Sequence, residues 1–553
     1  MSPGGGLMSD PSFDFAIVGS GAGGIAAAIT AKLAGLHPLL LEKTPLLGGS
    51  SVMSGGVLWL PDNPLMRRER VADSREEALR YMENFVEKDA PYSTPARREA
   101  FVDNIEPMIR TLEAQGMRYL RCPGYSDYYD TLPGGKSSGR SLQAELFDVN
   151  RLGSWKSRLR MPYVPLPIRT SEGTRMQNLG VAFSGKAMFA RVGGRIAWAK
   201  LTGKTLYGSG GALQGRMLEI ALRLGVDIWT EAALSGLDLR NGRIEGVHVN
   251  HAGRELTIAA RRGVLIAAGG FSRNAAMRKQ FQRHPISDEW THANPGDTGE
   301  AIDAMARAGA GLAVMQEAWW IPTWIGPGGQ LAQIVPELAK PHGILVDHSG
   351  RRMVNEANSY MEIGRAMYAR HATTPAIPAW LILDARARKR YMFGFRFPGK
   401  MPQAWVDQGC VKQDGTVPGL ARKCGIDPAG LEDTVAHFNR FCERGVDEDY
   451  GRGSSAYNRF YADPTMKPNP SLGTLAEPPF WAAPLYPGDV GTCGGAIINE
   501  HAQVLRPDGR VIEGLFATGN CSASLCGPHY VGAGQSIAAS SVFGFIAAST
   551  AAQ

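Results

Sequence analysis

The hydrophobic positions near the start of the chain predict a strand, a tight turn and a helix in close succession. A short apolar run, 13–18, leads directly into Gly19-Ser20-Gly21-Ala22-Gly23-Gly24, and the Ala-rich stretch that follows, 25–36, predicts a helix. A second apolar run, 39–41, predicts a buried strand that ends at Glu42, 18 residues after Gly24. Strand, glycine turn, helix, strand and acid stand where a Rossmann-type dinucleotide-binding unit needs them.

Each residue of this unit has a physical role in holding a dinucleotide. Gly19 makes the tight turn, Gly21 lets the backbone approach a pyrophosphate, and Gly24 allows the helix to pack closely on the strand. The helix N-terminus then faces the phosphates. Glu42 can accept hydrogen bonds from a ribose hydroxyl. The predicted cofactor-binding residues of this unit are Gly19, Gly21, Ala22, Gly23, Gly24, Glu42 and Lys43.

Two more glycine clusters follow the acid closely and indicate a backbone that wraps a larger cofactor. They lie within LEKTPLLGGSSVMSGGVLWLPDNP, which resembles the 3-ketosteroid Δ1-dehydrogenases, a family within the fumarate reductase and succinate dehydrogenase flavoprotein superfamily. The resemblance spans nearly the whole chain and implies non-covalent FAD. Further predicted cofactor-binding residues are Gly48, Gly49, Ser50, Ser51, Ser54, Gly55 and Gly56.

The Rossmann pattern returns later in the chain. Residues 264–266 predict a buried strand that runs into glycines, residues 511–517 predict another, and residues 535–548 predict a buried helix aimed at the flavin. The resemblance implies that these segments also contact the cofactor. The residues predicted to do so are Ala268, Gly269, Gly519, Asn520, Gly534, Ser536 and Ile537.

These patterns predict an α/β fold in which a Rossmann-type FAD-binding domain is split in sequence by an inserted α+β substrate domain. Residues 1–12 are predicted to be a loose tail, and 13–290 the first part of the FAD-binding domain. From about residue 291 to 475 the sequence becomes richer in Trp, Pro and charged loop segments, which predicts the inserted catalytic domain. Residues 476–553 complete the FAD-binding domain.

Three tyrosines match motifs of the resembled family. Asn355-Glu356-Ala357-Asn358-Ser359-Tyr360 is similar to the segment that supplies the catalytic base, which implies that role for Tyr360. Gly527 to Gly534 resembles the element that binds the substrate ketone, so the hydroxyl of Tyr530 and the backbone N–H of Gly534 are expected to hold the ketone oxygen. In PGYSDYYDTLPGG we favour Tyr128 as the assisting tyrosine, with Tyr125 as the second choice.

The resemblance implies a trans dehydrogenation of the bond next to a ketone. Two donors on the ketone oxygen stabilise enolate charge, as in an oxyanion hole. Tyr360 then takes the α-proton, and the β-hydrogen leaves as hydride to flavin N5. A free phenol titrates near 10, so the site either lowers the pKa of Tyr360 or favours alkaline pH. Val531 and Ala533 replace two prolines that the family favours, which predicts a less rigid loop.

Composition and charge exclude several classes. With 44% hydrophobic and 20% charged residues among 553, the chain can bury a large core. The net charge of +7 comes from residues 151–204, which hold 11 Lys or Arg and one acid, and no nucleic-acid-binding module accompanies it. The seven cysteines contain no Cys-x-x-Cys pair and no metal site is predicted, which favours a reducing compartment, the cytoplasm.

The basic segment 151–204 also carries apolar residues at helical spacing. Phe189, Val192 and Ile196 recur beside Arg191 and Arg195, as in helices that lie in a membrane interface. Peripheral attachment to the inner face of the membrane would suit a sterol-like substrate. A homo-oligomer contact and an active-site lid stay open as alternatives.

The sequence therefore predicts an FAD-dependent 3-oxosteroid 1-dehydrogenase with a steroid substrate and an external electron acceptor. Three alternatives stay open. The first is desaturation of the 4,5 bond, which would share the ketone clamp. The second is reduction of a C=C bond in a dicarboxylate such as fumarate. The third is a non-catalytic flavin-binding redox sensor.

Overall fold

The computed structural model describes residues 12–553, so the predicted tail lies outside the described residues except for Ser12, which opens the first strand. The strands are β1 Ser12–Val18, β2 Pro38–Leu41, β3 Val57–Trp59, β4 Tyr119–Arg121, β5 Ser141–Ala144, β6 Phe147–Asp148, β7 Leu206–Tyr207, β8 Asp227–Trp229, β9 Ala232–Arg240, β10 Arg243–His251, β11 Arg254–Ile266, β12 Leu312–Ala313, β13 Ala318–Ile325, β14 Leu331–Gln333, β15 Gly343–Val346, β16 Ala379–Leu383, β17 Lys412–Asp414, β18 Phe480–Thr492, β19 Gly495–Ala496, β20 Gln503–Leu505 and β21 Val511–Ala517.

The helices surround these strands and connect them. They are α1 Ala22–Leu33, α2 Gly49–Met53, α3 Pro64–Arg68, α4 Arg75–Glu83, α5 Pro95–Asp103, α6 Ile105–Ala114, α7 Thr170–Met176, α8 Phe183–Leu201, α9 Ser209–Arg223, α10 Ala275–Phe281, α11 Glu300–Arg307, α12 Tyr360–His371, α13 Ala385–Arg390, α14 Gln403–Asp407, α15 Val417–Cys424, α16 Pro428–Arg444, α17 Ala456–Phe460 and α18 Gln535–Ala551.

An eight-stranded sheet forms the first layer of the fold. Its core has the order β21-β11-β1-β2-β8, and every neighbouring pair in this core is parallel. β9 and β10 form an antiparallel hairpin that joins the sheet beside β11. Strands from both ends of the chain thus share one sheet, and the predicted α/β Rossmann-type fold is confirmed.

Two helices rich in small residues pack under this sheet. α1 is Ala-rich and buried over Ala22–Ala31, and α18 crosses it closely. Small residues permit the crossing, because a Cβ added at Gly544 would lie 2.2 Å from the backbone oxygen of Gly23. Among residues 12–553, no helix is both long and apolar enough to cross a membrane.

A six-stranded sheet, β14-β13-β18-β16-β15 with β17 beside β18, forms the second layer. Its apolar residues form their own buried clusters, separate from the large cluster around α1. β18 lies beyond residue 475, where we expected the inserted domain to end, so this sheet continues to Thr492. A cavity of about 740 Å³ reaches from the glycine turn after β1 to residues of β13, β14 and α12.

Candidate active site

The glycine turn after β1 has the geometry that its sequence predicts. Gly19 has φ +107°, and a Cβ there would lie 2.3 Å from the backbone oxygen of Ala267. A Cβ on Gly24 would lie 1.9 Å from the oxygen of Gly19. Gly21 differs, since its Cβ would meet only the Ser51 hydroxyl, at 3.5 Å. Gly21 therefore faces open space in the cavity, where a ligand can approach the backbone.

Helix α1 begins at the same point and is open to an anion. Gly21 is its N-cap and has no side chain that could cap the helix. The N–H of Ala22 donates to the Ser51 hydroxyl at 3.1 Å. An uncapped N-terminus that faces a cavity suits a phosphate group.

The acid after β2 is held in a fixed position at the cavity wall. The Glu42 carboxylate accepts hydrogen bonds from the Ser20 hydroxyl at 2.6 Å and from the N–H of Thr44 at 3.0 Å. Beside it, the Lys43 ammonium donates to the Thr298 hydroxyl at 2.6 Å and pairs with Glu300. Both residues line the cavity, as do most of the other predicted cofactor-binding residues. These others are Gly19, Gly21, Ala22, Gly49, Ser50, Ser51, Ser54, Gly55, Gly56, Ala268, Gly269, Gly519, Asn520, Gly534, Ser536 and Ile537.

Three predicted cofactor-binding glycines, Gly23, Gly24 and Gly48, are absent from the described cavity lining. A Cβ on Gly23 would lie 2.5 Å from the backbone oxygen of Ser540, and one on Gly48 would lie 2.2 Å from the side chain of Val52. The lack of a side chain at these two positions permits this close packing. For Gly24, packing of the helix on the strand is the role that its position in the motif predicts.

The structure adds a polar group to the cavity wall that the sequence analysis missed. Asp297 accepts hydrogen bonds from the side-chain amide of Asn294 at 2.6 Å and from the Ser50 hydroxyl at 3.3 Å. Burial raises the pKa of Asp297 to about 6. The sequence feature that could have indicated Asp297 is the Asn294-Pro-Gly-Asp297 turn directly before Thr298, but turn residues alone do not indicate ligand contact.

At the other end of the cavity, three predicted tyrosines lie against one another. The ring of Tyr360 lies 5.5 Å, centroid to centroid, from the rings of both Tyr128 and Tyr530. Tyr128 and Tyr530 are 5.8 Å apart, and Trp319 packs edge-on against Tyr530 at 5.0 Å. All four side chains line the cavity. The three hydroxyl-bearing rings therefore form one cluster beside the space where a substrate can bind.

The two groups predicted from the sequence to hold the substrate ketone, the Tyr530 hydroxyl and the Gly534 N–H, lie next to each other. The Tyr530 hydroxyl lies 3.2 Å from the Ser536 hydroxyl. Burial raises the pKa of Tyr530, while the Ser536 hydroxyl and the backbone N–H of Gly534 act in the opposite direction. Gly534 has φ +84°, and a Cβ there would lie 1.8 Å from the backbone oxygen of Val57. Only glycine fits this N-cap of α18, whose N–H points towards the phenol.

The loop that carries Tyr530 is well fixed, although we expected the loss of two prolines to loosen it. The carbonyl oxygen of Val531 accepts hydrogen bonds from the N–H of Tyr128 at 2.9 Å and from the Tyr81 hydroxyl at 2.7 Å. The N–H of Val531 donates to the side chain of Gln535 at 2.7 Å. Hydrogen bonds to a non-proline backbone thus replace the ring constraint that proline would supply.

A buried ion pair supports Tyr128 from the other side. Asp127, directly before it, accepts hydrogen bonds from Arg140 and from the Trp59 indole, each at 2.7 Å. Arg140 also bonds both oxygens of Asp73. Burial raises the pKa of Asp127 to about 6 even beside this guanidinium. The arrangement fixes the backbone that positions Tyr128.

Tyr360 is the first residue of α12, and a buried charge network holds the turn before it. Arg352 bonds both oxygens of Glu356, at 2.8 and 2.9 Å, and Arg452 reaches Glu356 at 3.2 Å. Burial favours the neutral carboxyl, but the two guanidinium groups lower the pKa of Glu356 overall. Glu356 is therefore a structural anchor for the segment that presents Tyr360.

The sequence predicts either a lowered pKa of Tyr360 or activity favoured at alkaline pH, and the structure bears on the first of these. Burial raises it well above the ordinary value of 10.0, and the neighbouring Tyr128 and Tyr530 raise it further. No cation within the cluster lowers it. This direction is opposite to the expected lowering, because the ring lies among uncharged aromatic groups. The alternative expectation, activity favoured at alkaline pH, remains.

Tyr125, the second choice for the assisting role, lies apart from the cluster. Its hydroxyl is 3.0 Å from that of Thr174, and its ring contacts Phe460 at 4.4 Å. Tyr457 was missed, although its ring lies 4.4 Å from that of Tyr128. The aromatic-rich stretch 457–461 was the available signal, but nothing local in it indicates which residue lies at the site.

Charged groups that could bind a dicarboxylate are few in the cavity. Among the described residues that line it, Arg169 is the one arginine and His292 the one histidine. Burial lowers the pKa of His292 to about 4, so its ring is neutral near pH 7. The wall around the tyrosines suits an uncharged, apolar substrate better than a small dianion.

The chain is similar to known flavoproteins along its length. The FAD binding domain family matches residues 14–537. A 3-oxosteroid 1-dehydrogenase from Mycobacterium tuberculosis (strain H37Rv) is 39% identical over 557 residues, with 98% of each chain covered, and one from Mycolicibacterium smegmatis is 38% identical with 98% and 97% covered. The crystal structure of a 3-ketosteroid Δ1-dehydrogenase from Sterolibacterium denitrificans in complex with 1,4-androstadiene-3,17-dione matches with a TM-score of 0.92, 34% identity and 98% and 99% covered.

Proposed function

This chain belongs to the 3-oxosteroid 1-dehydrogenases, within the FAD binding domain family, and on that premise we propose that it oxidises the C1–C2 bond of 3-ketosteroids. It is an FAD-dependent oxidoreductase. The observation that carries the proposal is the convergence of Tyr360, Tyr128 and Tyr530 on the wall of the cavity that also contains the glycine turn.

The residues near β1 and β21 fit FAD. The open Gly21, the uncapped α1 and the fixed carboxylate of Glu42 suit a pyrophosphate and a ribose. Asn520 accepts a hydrogen bond from the Trp319 indole and the Ser536 hydroxyl lies 3.2 Å from that of Tyr530, so these two cavity-lining residues would hold the part of the cofactor that reacts. When bound, FAD supplies the acceptor for the hydrogen that leaves the β-carbon as hydride.

The Tyr530 hydroxyl and the Gly534 N–H would bind the ketone oxygen of the substrate. Both are fixed before substrate arrives, because α18 and the bonds to Val531 hold the loop. Each such donor can contribute roughly 3 to 4 kcal/mol to stabilising enolate charge, since it acts in a dry site and needs no reorganisation. This stabilisation is what makes the α-hydrogen removable.

Tyr360 would take the α-proton with its phenolic oxygen. Its raised pKa means that little phenolate exists before the substrate binds. Tyr128 lies beside it and would relay the hydroxyl proton of Tyr360, taking that proton on its oxygen and releasing its own to solvent, so that Tyr360 is a phenolate when it takes the α-proton. The wall of apolar and aromatic groups excludes water that would otherwise compete for the enolate.

The regiochemistry is tested by giving the enzyme a saturated substrate. With 5α-androstane-3,17-dione and a dye as acceptor, oxidation at C1–C2 gives the 1-ene and oxidation at C4–C5 gives the 4-ene. We expect the 1-ene as the first product in mass and NMR analysis. Formation of the 4-ene alone would support the 4,5-dehydrogenase instead. The two electrons removed leave the protein through an external acceptor, so turnover without added dye should stop after one equivalent under argon.

We also propose that the segment 151–204 attaches the enzyme to a membrane surface. In α8, Phe183 is 84% exposed and Leu201 is 88% exposed, beside Lys186, Lys200 and Lys204. Phe189 of the same helix packs against Phe397, which is 54% exposed and also lines the cavity. The Phe189–Phe397 contact thus joins exposed apolar side chains of α8 to a residue of the cavity wall, which suits a substrate that dissolves in lipid.

Sedimentation with anionic phosphatidylglycerol vesicles tests this attachment. We expect wild type to bind and the double variant Phe183→Ser/Leu201→Ser to bind at least tenfold less, while Leu239→Ser/Val446→Ser, two exposed apolar residues elsewhere, serves as the matched control. Equal binding by all three proteins, or none by wild type, would contradict the proposal. A concentration-dependent dimer that the first variant abolishes would support the oligomer contact.

A further inference from the structure

Three further polar side chains come from the segments that carry the tyrosine cluster of Tyr128, Tyr360 and Tyr530. Each of them stands within two positions of one tyrosine of that cluster. They are Tyr129, one residue after Tyr128, Glu362, two residues after Tyr360, and His529, one residue before Tyr530. The described cavity lining includes none of these three, so contact with a bound steroid does not account for their meeting.

The three side chains meet at the Glu362 carboxylate. Its Oε1 accepts a hydrogen bond from the Tyr129 hydroxyl at 2.7 Å and lies 3.3 Å from Nδ1 of His529. Nη1 of Arg365 lies 3.3 Å from the same oxygen and 3.4 Å from Nδ1 of His529. With a hydrogen on Nδ1 the imidazole donates to Glu362, and without one it accepts from Arg365. The His529 ring is therefore held in either tautomer.

Ring packing and charge keep these contacts in place. The rings of Tyr129 and His529 both pack against Phe85, at 4.9 and 5.4 Å between centroids. Burial alone would raise the pKa of Glu362, but the contacts with His529 and Tyr129 lower it overall. The carboxyl is therefore ionised at neutral pH, and hydrogen bonds to an ionised acceptor are the stronger ones.

We propose that Glu362 is a positioning residue, which joins the three segments and fixes the phenols of the tyrosine cluster relative to one another. This inference rests on the proposed function of the same tyrosines. Removal of a proton and a hydride from one substrate needs the reacting groups in a fixed geometry, and a misplacement of about 1 Å can cost about 10²-fold in rate. One carboxylate that holds all three segments supplies that geometry before substrate binds.

A second role is open to Glu362, because it stands in the first turn of α12. A carboxylate there stabilises the helix through its dipole, whatever its partners are. That role depends on the charge. Glu362→Gln removes the charge and keeps an oxygen that accepts from Tyr129, whereas Glu362→Leu removes both, so the two variants separate the roles.

The first measurement is the kinetics of these two variants with androst-4-ene-3,17-dione. We expect Glu362→Leu to lower kcat by about 10-fold to 100-fold with little change in KM or flavin content, because Glu362 contacts neither steroid nor flavin. Glu362→Gln should stay within about threefold of wild type. The matched control is Glu113→Leu, which removes a carboxylate of similar exposure, 22% against 25%, from its pair with Arg68. Its kcat should equal that of wild type, and its thermal unfolding should shift as much as that of Glu362→Leu.

A double-mutant cycle then shows whether Glu362 acts through its partners. Tyr129→Phe removes one donor and should lower kcat by a smaller factor than Glu362→Leu. Tyr129→Phe added to Glu362→Leu should lower kcat no further, because the bond is already lost. If Glu362→Leu does not fold, Tyr129→Phe and Glu362→Gln still decide the question.

Three results would overturn the positioning role while the proposed reaction stands. They are wild-type kcat in Glu362→Leu or, if that variant does not fold, in Tyr129→Phe, a kcat of Glu362→Gln as low as that of Glu362→Leu, and losses that multiply in the double variant. A wild type that does not oxidise 3-ketosteroids would overturn the proposed function instead.

Discussion

The rings of Tyr360 and Tyr530 lie 5.5 Å apart at an interplanar angle of 43°, although the two residues are 170 positions apart in the chain. Tyr360 begins α12 beside the second sheet, and Tyr530 precedes α18 beneath the first. The proposed base and the proposed ketone clamp, on opposite parts of the fold, can therefore act on one small molecule between them. The following predictions test what each part contributes.

Tyr360→Phe removes the hydroxyl and keeps the ring that packs against Tyr128. Because general base catalysis contributes typically 10²-fold to 10⁴-fold, we expect kcat to fall by about that factor while flavin content stays the same. The measurement is dye reduction with androst-4-ene-3,17-dione and the visible spectrum of the purified variant. Tyr486→Phe, a tyrosine packed on Trp290 away from the cluster, is the control. Retained turnover in Tyr360→Phe would remove this residue from the mechanism.

The pKa of Tyr360 predicts how activity depends on pH. Since burial and its two tyrosine neighbours raise this pKa, the phenolate becomes more populated as the medium becomes alkaline. We expect kcat/KM to rise from about pH 7 to about pH 10. A profile that is flat over this range would contradict proton transfer to a phenolic oxygen.

The same raised pKa values limit how far the pH can rise before the folded state loses stability. A buried phenol with a raised pKa stabilises the folded state below pH 10, and this contribution is lost as pH rises above 10 towards the raised pKa. Tyr128, Tyr360 and Tyr457 share this behaviour. Thermal unfolding in the same buffers separates the loss of structure from the titration of the base.

Arg140 is predicted to be essential for stability. Its side chain and those of Asp73 and Asp127 are at most 1% exposed. Arg140→Ala leaves two buried carboxylates unpaired, so we expect a loss of about 3 to 5 kcal/mol in the free energy of unfolding. Urea unfolding measures this loss. The control is Arg110→Ala, because the Arg110 side chain is 67% exposed in its ion pair and its loss should change the free energy of unfolding by about zero. Equal stability of the two variants would show that the buried network contributes little.

Changing Gly21 to alanine is predicted to weaken FAD binding, whereas changing Gly24 to alanine is predicted to lower stability. Gly21→Ala places its methyl group in open space, so the protein should fold and bind FAD at least tenfold more weakly, because the methyl blocks the approach of the pyrophosphate. Gly24→Ala should lower stability, because the methyl collides with a backbone oxygen. Gly193→Ala, with nothing within 4 Å, is the control. Flavin titration and thermal unfolding of all three variants distinguish the effects, and unaltered FAD affinity in Gly21→Ala would contradict the cofactor site.

The sequence predicted what depends on local conformation. The strand, turn and helix of the first sixty residues follow from residue spacing and from backbone angles that only glycine adopts readily, as at Gly19. The strand order of the first sheet and the family match confirm the predicted fold class, and the family match confirms the FAD cofactor. The role of Gly23 in packing α1 against α18 depended on a contact with Gly544, more than 500 residues away, and spacing within the motif could not indicate it.

The candidate site was predicted less completely because much of it is assembled from distant segments. Tyr360, Tyr128 and Tyr530 lie in motifs with a family resemblance, whereas Tyr457 lies in a stretch with no recognisable pattern. The pKa of Tyr360 depends on burial among neutral rings, which needs the packed structure. The roles assigned to these residues stay predictions until the variants are measured.

The most direct measurement mixes the yellow protein with androst-4-ene-3,17-dione under argon and follows the flavin absorbance. This steroid already carries the C4–C5 double bond, so oxidation of its first ring can occur only at C1–C2. We predict that the absorbance bleaches in proportion to the steroid added and that 1,4-androstadiene-3,17-dione accumulates in equal amount. A colourless protein, or a flavin that only dithionite reduces, would contradict the account.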